Sequence, residues 1–260
     1  MLILDNKKII WIYWAQGWEN APLISKLCLQ SWYKNNATDY MIMPLDDNVL
    51  KNYLDLSKML PKTNLKNIDK VAMSDIIRLA LVSKYGGVWV DSTVLCLCPL
   101  KLWLQDILNT HGFFAYDKHM DTVSISSWFI AATKNNYIVD SWLNSTIEYW
   151  AYRKNKHTYF WVHKLFTTLY EKNYIIKNMW DKVPKLSSSV AEQSKLNGPH
   201  AFVPYKIDLC GKLSIKQKNY IDNRYNNNYC LKLTRHFNID QQIKNSNSVI
   251  HYILHKEELI

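Results

Sequence analysis

With 260 residues the chain is long enough to bury one full core, and a single domain over 1–260 is expected. Its 48% hydrophobic and 21% charged residues, with 6 glycines and 7 prolines, exclude a disordered or collagen-like chain. The 32 lysines and arginines against 22 aspartates and glutamates give a formal charge of +10, which favours anionic partners (nucleic acid, anionic lipid, nucleotide diphosphates) without choosing among them.

The opening MLILDNKKIIWIYW lacks a basic segment leading into an apolar stretch, and no run approaches the roughly eighteen apolar residues of a membrane span, so neither an export signal nor a spanning helix is expected. Residues 8–14 (KIIWIYW) are β-branched and aromatic without helical period and predict a buried first strand, leading into the loop of Ala15, Gln16, Gly17 and Trp18. Pro22 suits the first turn of a helix, and Leu23, Ile24, Leu27, Cys28 and Trp32 recur at helical spacing up to Asn35 and Asn36. Residues 39–44 predict a second strand, and Asp46 or Asp47 can cap a short helix through Leu54. Strand, helix, strand in this order suggests a parallel α/β sheet. Residues 69–85 carry the apolar stripe Val71, Ala72, Ile76, Leu79, Ala80 and Val82, with Gly86 placed to supply a left-handed cap. A short strand over 88–90 follows and ends on Asp91. Strands are then expected at 112–116 and 127–133, and helices at 137–153 and 160–173. Beyond Trp180 the pattern loosens around Pro184, 187–189, Gly198, Pro199 and the asparagines at 226–228, and loops are expected to dominate, with a late strand over 248–253.

Five cysteines (Cys28, Cys96, Cys98, Cys210, Cys230) are odd in number and none is spaced C-x-x-C, which predicts reduced thiols and a cytoplasmic location. The basic residues are scattered (Lys7 and Lys8; Arg153, Lys154 and Lys156; Lys212, Lys216 and Lys218), as solvated faces are.

The chemistry concentrates in MSDIIRLALVSKYGGVWVDSTVL, residues 73–95. Asp75 and Arg78 share one helix face, which alone indicates no more than an ion pair. The Gly86-Gly87 turn sends the chain straight into a strand whose carboxyl end carries Asp91, Ser92 and Thr93, and ligands of open α/β sheets bind outside such ends. A carboxylate there can hold a ribose hydroxyl or a divalent ion that neutralises a diphosphate. A capped strand end is the simpler alternative for Asp91.

The run S-D-x-x-R-L-x-L-x-x-K-Y-G-G-V-W-V-D-S-T resembles the donor-site signature of the capsular polysaccharide synthesis proteins, related to glycosyltransferase family 32 and more distantly to the clostridial glucosylating toxins. KIIWIYWAQGWENAP (8–22) resembles the first strand and nucleotide loop of the same family, and SSWFIAA (126–132) and YFWVHKLF (159–166) extend the similarity, which spans residues 8–185. The resemblance implies a GT-A fold, a Rossmann-like mixed sheet flanked by helices, with a nucleotide-sugar half (1–100) and an acceptor half with the C-terminal segment (101–260). It also implies a retaining hexosyltransferase working from a nucleoside diphosphate sugar, UDP-linked, to an oligosaccharide or lipid-linked acceptor in bacterial surface polysaccharide synthesis, with peripheral membrane contact. Tyr13, Trp14 and Gln16 match the nucleotide region, where one of the two aromatics would stack on the base. Asp75 and Arg78 match positions that hold the hexose; Asp91, with Ser92 and Thr93, matches the D-x-D motif at its first acidic residue only. With Thr93 in the second place, a divalent ion, Mn²⁺ or Mg²⁺, would need a further ligand, for which His251 or His255 is the candidate. No second carboxylate fits a nucleophile, so front-face substitution is expected, with Ser126 and Ser127 as candidates for the acceptor side or as ordinary strand-end serines. A nucleic-acid binder is the rival that +10 and 13% aromatics suggest, but no binding motif supports it. A catalytically silent domain of the same fold is the other alternative.

Overall fold

The strand β1 (Ile9–Tyr13) is buried at every position, so its Ile and Trp side chains must be covered on both faces of the sheet. A computed structural model describes residues 8–60, 65–118, 121–153, 155, 158–188, 200–201, 207–223, 229–234 and 239–260. The loops expected around Gly198, Pro199 and 226–228 lie outside the described residues. Helix α1 (Leu23–Asn36) leads to β2 (Met41–Leu45), which pairs in parallel with β1, Tyr13 opposite Leu45. Helix α2 (Asp47–Leu50) starts on Asp46, whose carboxylate accepts from the N–H of Asn48 and Val49.

Helix α3 (Lys70–Tyr85) begins on Asp69, which accepts from the N–H of Val71 and Ala72, and buries Ala72, Ile76, Leu79, Ala80 and Val82. It returns at once into β3 (Gly87–Asp91), parallel to β1 with Tyr13 opposite Asp91. Gly86 (φ 69°, ψ −162°) has the positive φ that its position predicts, though not the left-handed helical ψ. A Cβ on Gly86 would meet Lys134 N at 2.7 Å, and one on Gly87 (φ 93°) would meet Ile9 O at 2.5 Å. The glycine pair therefore lets the strand begin hard against β1 and its neighbour.

After β4 (Val94–Cys96) and α4 (Leu104–His111) come β5 (Phe113–Ala115) and β6 (Phe129–Ala132), antiparallel to each other, with β6 antiparallel to β3. The sheet order β2-β1-β3-β6-β5 is mixed rather than all parallel. Because β6 runs against β3, it starts where β3 ends, and Asp91 N–H donates to Trp128 O at 2.9 Å. Helices α5 (Tyr137–Ala151), α6 (Trp161–Lys172) and α7 (Tyr174–Lys182) follow. This is the Rossmann-like mixed sheet flanked by helices that the resemblance implies, and its core holds Trp11, Trp32, Trp89, Trp142 and Trp150, all fully buried.

The remaining described elements are the short β7 (His200–Ala201) and β8 (Ile207–Asp208), α8 (Ile215–Asp222), β9 (Cys230–Lys232), α9 (Ile239–Gln242) and α10 (Val249–Lys256). Of these, α8, β9, α9 and α10 contribute to a second apolar cluster, in which Leu231, Leu233, Ile239, Ile250 and Ile253 pack with Ile24, Leu27 and Cys28 of α1. Asp240 completes the join by accepting from the N–H of Leu23 and Ile24 at 2.8 and 3.0 Å, the cap that Pro22 does not give α1. The late strand expected over 248–253 is a helix: Val249, Ile250, Ile253 and Leu254 are buried at helical spacing, and Ser248 caps the His251 N–H at 3.1 Å. Among the described residues no helix is long and apolar enough to cross a membrane.

Candidate active site

The carboxyl ends of β1 and β3 open on a cleft of about 420 Å³ lined by Tyr13, Trp14, Gln16, Ser74, Arg78, Trp89, Asp91, Ser92, Thr93, Tyr159 and Lys232, among others. A second cleft, of about 240 Å³, lies at the amino end of β3 beside Gly86 and Gly87 and has no acidic or histidine side chain in its lining. The candidate carboxylates and cations therefore gather at the first.

Arg78 organises that cleft. Its Nε donates to Ser74 O at 3.3 Å, and its Nη1 to Ser127 O and Oγ at 2.8 and 2.6 Å. Its Nη2 stands 3.0 Å from Asp75 Oδ1 and 3.3 Å from Asp91 Oδ1. The guanidinium lies 5.4 Å from the centre of the Trp89 ring. Asp75 and Arg78 side chains are only 7% and 6% exposed, so this is a buried pair whose disruption, not its presence, dominates the energetics.

Asp91 is held from both sides. Its Oδ1 accepts from Trp89 Nε1 at 3.0 Å besides Arg78, and its Oδ2 lies 3.1 Å from Lys232 Nζ. Burial acts to raise the Asp91 carboxyl, yet Arg78, Lys232 and the Trp89 hydrogen bond outweigh it and hold the group below the ordinary aspartate range. Lys232 also donates to Thr93 Oγ1 at 2.6 Å.

Tyr13 is buried with its ring 6.4 Å from that of Trp89, and its hydroxyl donates to Asp47 in a short hydrogen bond. Burial first, then the Asp47 carboxylate, pushes that hydroxyl well above the usual tyrosine value. Trp14 follows it, half-buried, on the cleft wall.

The structure thus brings together Tyr13, Trp14, Gln16, Arg78, Asp91, Ser92 and Thr93, with Asp75 just behind. Ser126 and Ser127 are not in the cleft lining. The Ser126 hydroxyl donates to Asp117 O at 2.7 Å and lies 2.7 Å from Ser188 Oγ, and Ser127 Oγ joins Arg78 to His163 Nε2 at 3.0 Å. His251 is not in the lining either. Its helix is set by the second cluster, its Nδ1 lies 2.7 Å from Ile243 O, and its ring stacks on His255.

In the described residues the Asp91 carboxylate is engaged by side-chain cations rather than left open to a divalent ion. No group of three His, Cys, Asp or Glu side chains among them could hold a metal. Both Asp91 oxygens already face cations, and an ion there would sit beside Arg78 and Lys232.

Lys232, Trp89 and His163 carry parts of this site that sequence reasoning left without a role. Trp89 and His163 lie inside the recognised motifs, whereas Lys232 arrives by the antiparallel pairing of β9 with β4, Val94 opposite Lys232, which leaves no local mark in the sequence.

The chain is similar to several known proteins. The O-glycosyltransferase PaGT of Phomopsis amygdali is 24% identical over 160 residues, covering 56% of this chain and 39% of that protein. The O-glycosyltransferase braB of Annulohypoxylon truncatum is 24% identical over 162 residues (56% and 38%), and the probable glycosyltransferase FCK3 of Fusarium pseudograminearum 27% over 165 residues (56% and 40%). The chain spans about two fifths of the length of these curated relatives. Among solved structures, the PaToxG glycosyltransferase aligns with a TM-score of 0.45 at 20% identity, covering 67% of this chain and 73% of that one. The model of the capsular polysaccharide synthesis protein family matches residues 3–196, which include β1, α3, β3 and every residue lining the cleft except Lys232, Leu233 and Thr234, and the chain belongs to that family.

Proposed function

We propose that the chain is a glycosyltransferase that moves a hexose from a nucleoside diphosphate sugar, UDP-linked by the family resemblance, to a saccharide acceptor in surface polysaccharide synthesis. The observation that carries this reading is the buried Asp75–Arg78–Asp91 network at the carboxyl end of β3, opening on a cleft walled by Tyr13 and Trp14. Family membership and the names of the similar proteins support a sugar donor and an acceptor.

In this reading Trp14 or Tyr13 stacks on the base, Arg78 keeps Asp91 ionised and fixed, and Asp91 faces the hexose or ribose hydroxyls. The anomeric configuration is retained by front-face substitution. The acceptor oxygen bonds to the anomeric carbon as the bond to the diphosphate breaks, and the acceptor proton passes to the departing phosphate oxygen. The protein positions the partners and stabilises charge. A catalytically silent domain is the second reading, favoured by Thr93 standing where a second carboxylate is usual.

A thermal-shift panel of UDP- and GDP-hexoses tests the proposal. At a hundred times its dissociation constant, a true donor stabilises the fold by about 2.7 kcal/mol. Stabilisation by at least one donor is expected; its absence across the panel overturns the reading, and binding without any slow donor hydrolysis favours the silent domain.

A further inference from the structure

We propose that Lys232 supplies, as a fixed side-chain cation, the positive charge that a divalent ion would bring to the donor diphosphate, so that transfer proceeds without metal. The inference rests on the function proposed above and concerns how that site neutralises its leaving group. Lys232 Nζ stands 3.1 Å from Asp91 Oδ2 and 2.6 Å from Thr93 Oγ1, between the two side chains that a D-x-D motif would turn towards an ion. An ammonium has three donors; among the described residues these partners take two, and the third is directed to the cleft that Lys232 lines.

The position is built rather than incidental. Lys232 lies in register with Val94, and Leu233 N–H donates to Thr93 O at 2.8 Å. Side chains alternate along β9, so Leu231 and Leu233 bury in the second cluster while Lys232 turns the other way, its side chain only 18% exposed. Thr93 is the residue that makes this possible: its hydroxyl accepts from the ammonium, where a second carboxylate would instead favour a divalent ion.

The test measures UDP and GDP affinity by calorimetry and nucleotide-sugar turnover, each in excess EDTA and with added Mn²⁺, for the wild type, Lys232→Met and Lys232→Arg. The wild type is expected to bind and turn over in EDTA with less than about a twofold gain from Mn²⁺. Lys232→Met should weaken nucleoside diphosphate binding about tenfold or more and cut turnover about a hundredfold. Lys232→Arg, which keeps the charge and guards against a Met variant that does not fold, should retain most of the affinity. Wild-type binding or turnover that appears only with Mn²⁺ overturns the inference, as does a folded Lys232→Met variant with unchanged affinity. Absence of binding and turnover in both conditions overturns the proposed function itself, which keeps the two failures apart.

Discussion

Arg78 shows how a residue can belong to a site and to a fold at once. The resemblance assigns it to the hexose, yet its guanidinium is engaged with Ser74, Asp75, Asp91 and Ser127 inside the protein. Lysine keeps the charge but loses the fork that reaches these groups together. Arg78→Lys should therefore lower stability as well as turnover, by about 1–3 kcal/mol for the hydrogen bonds the lysine cannot make, measured by urea denaturation. A variant of unchanged stability and depressed turnover would make Arg78 a donor ligand only. Asp91 gives a pH signature with a definite sign. Its folded carboxyl lies below the ordinary value, so its contribution to stability is present above about pH 4 and is lost as pH falls through the lower folded value. Thermal melts from acid to neutral pH should show a shallower acid loss in Asp91→Asn than in the wild type; parallel curves would mean that Arg78 and Lys232 do not hold the group.

At the scale of elements, the turn into β3 decides where Asp91 stands. Gly87→Ala places a Cβ 2.5 Å from Ile9 O at a φ of 93° and should cost more than the roughly 1–3 kcal/mol of a strained φ, because β1 and β3 must also part. A denaturation midpoint within error of the wild type would refute the close approach. That turn was legible in the sequence, as were β1, by its β-branched and aromatic run, and α3, α5 and α6, by their apolar residues at helical spacing. The late segment departs from the strand expected over 248–253. Its apolar pairs at Val249, Ile250, Ile253 and Leu254 fit a helix, and Ser248 before them is the cap that marked it. Ser248→Ala should cost about 1 kcal/mol, as an N-cap does. The pairing of β4 with β9 was not legible, since two three-residue strands far apart in the chain carry no mutual signal, and with it went Lys232.

Across the whole molecule, the cleft draws on residues near both ends of the described chain, from Tyr13 to Thr234. The second cluster holds β9 against α1 and thereby holds Lys232 against Asp91. Leu231→Ala, deep in that cluster, should cost about 2–5 kcal/mol and weaken nucleoside diphosphate binding although it touches no ligand. A stability loss with unchanged affinity would separate the cluster from the site.

The central claim, that the cleft beyond β1 and β3 binds and cleaves a nucleotide-sugar, is tested most directly by measuring nucleoside diphosphate release from UDP- and GDP-hexoses by the wild type and Asp91→Asn. The account predicts release from at least one donor by the wild type and a loss of about a hundredfold or more in the folded variant. Equal release by both proteins, or none from any donor, would contradict it.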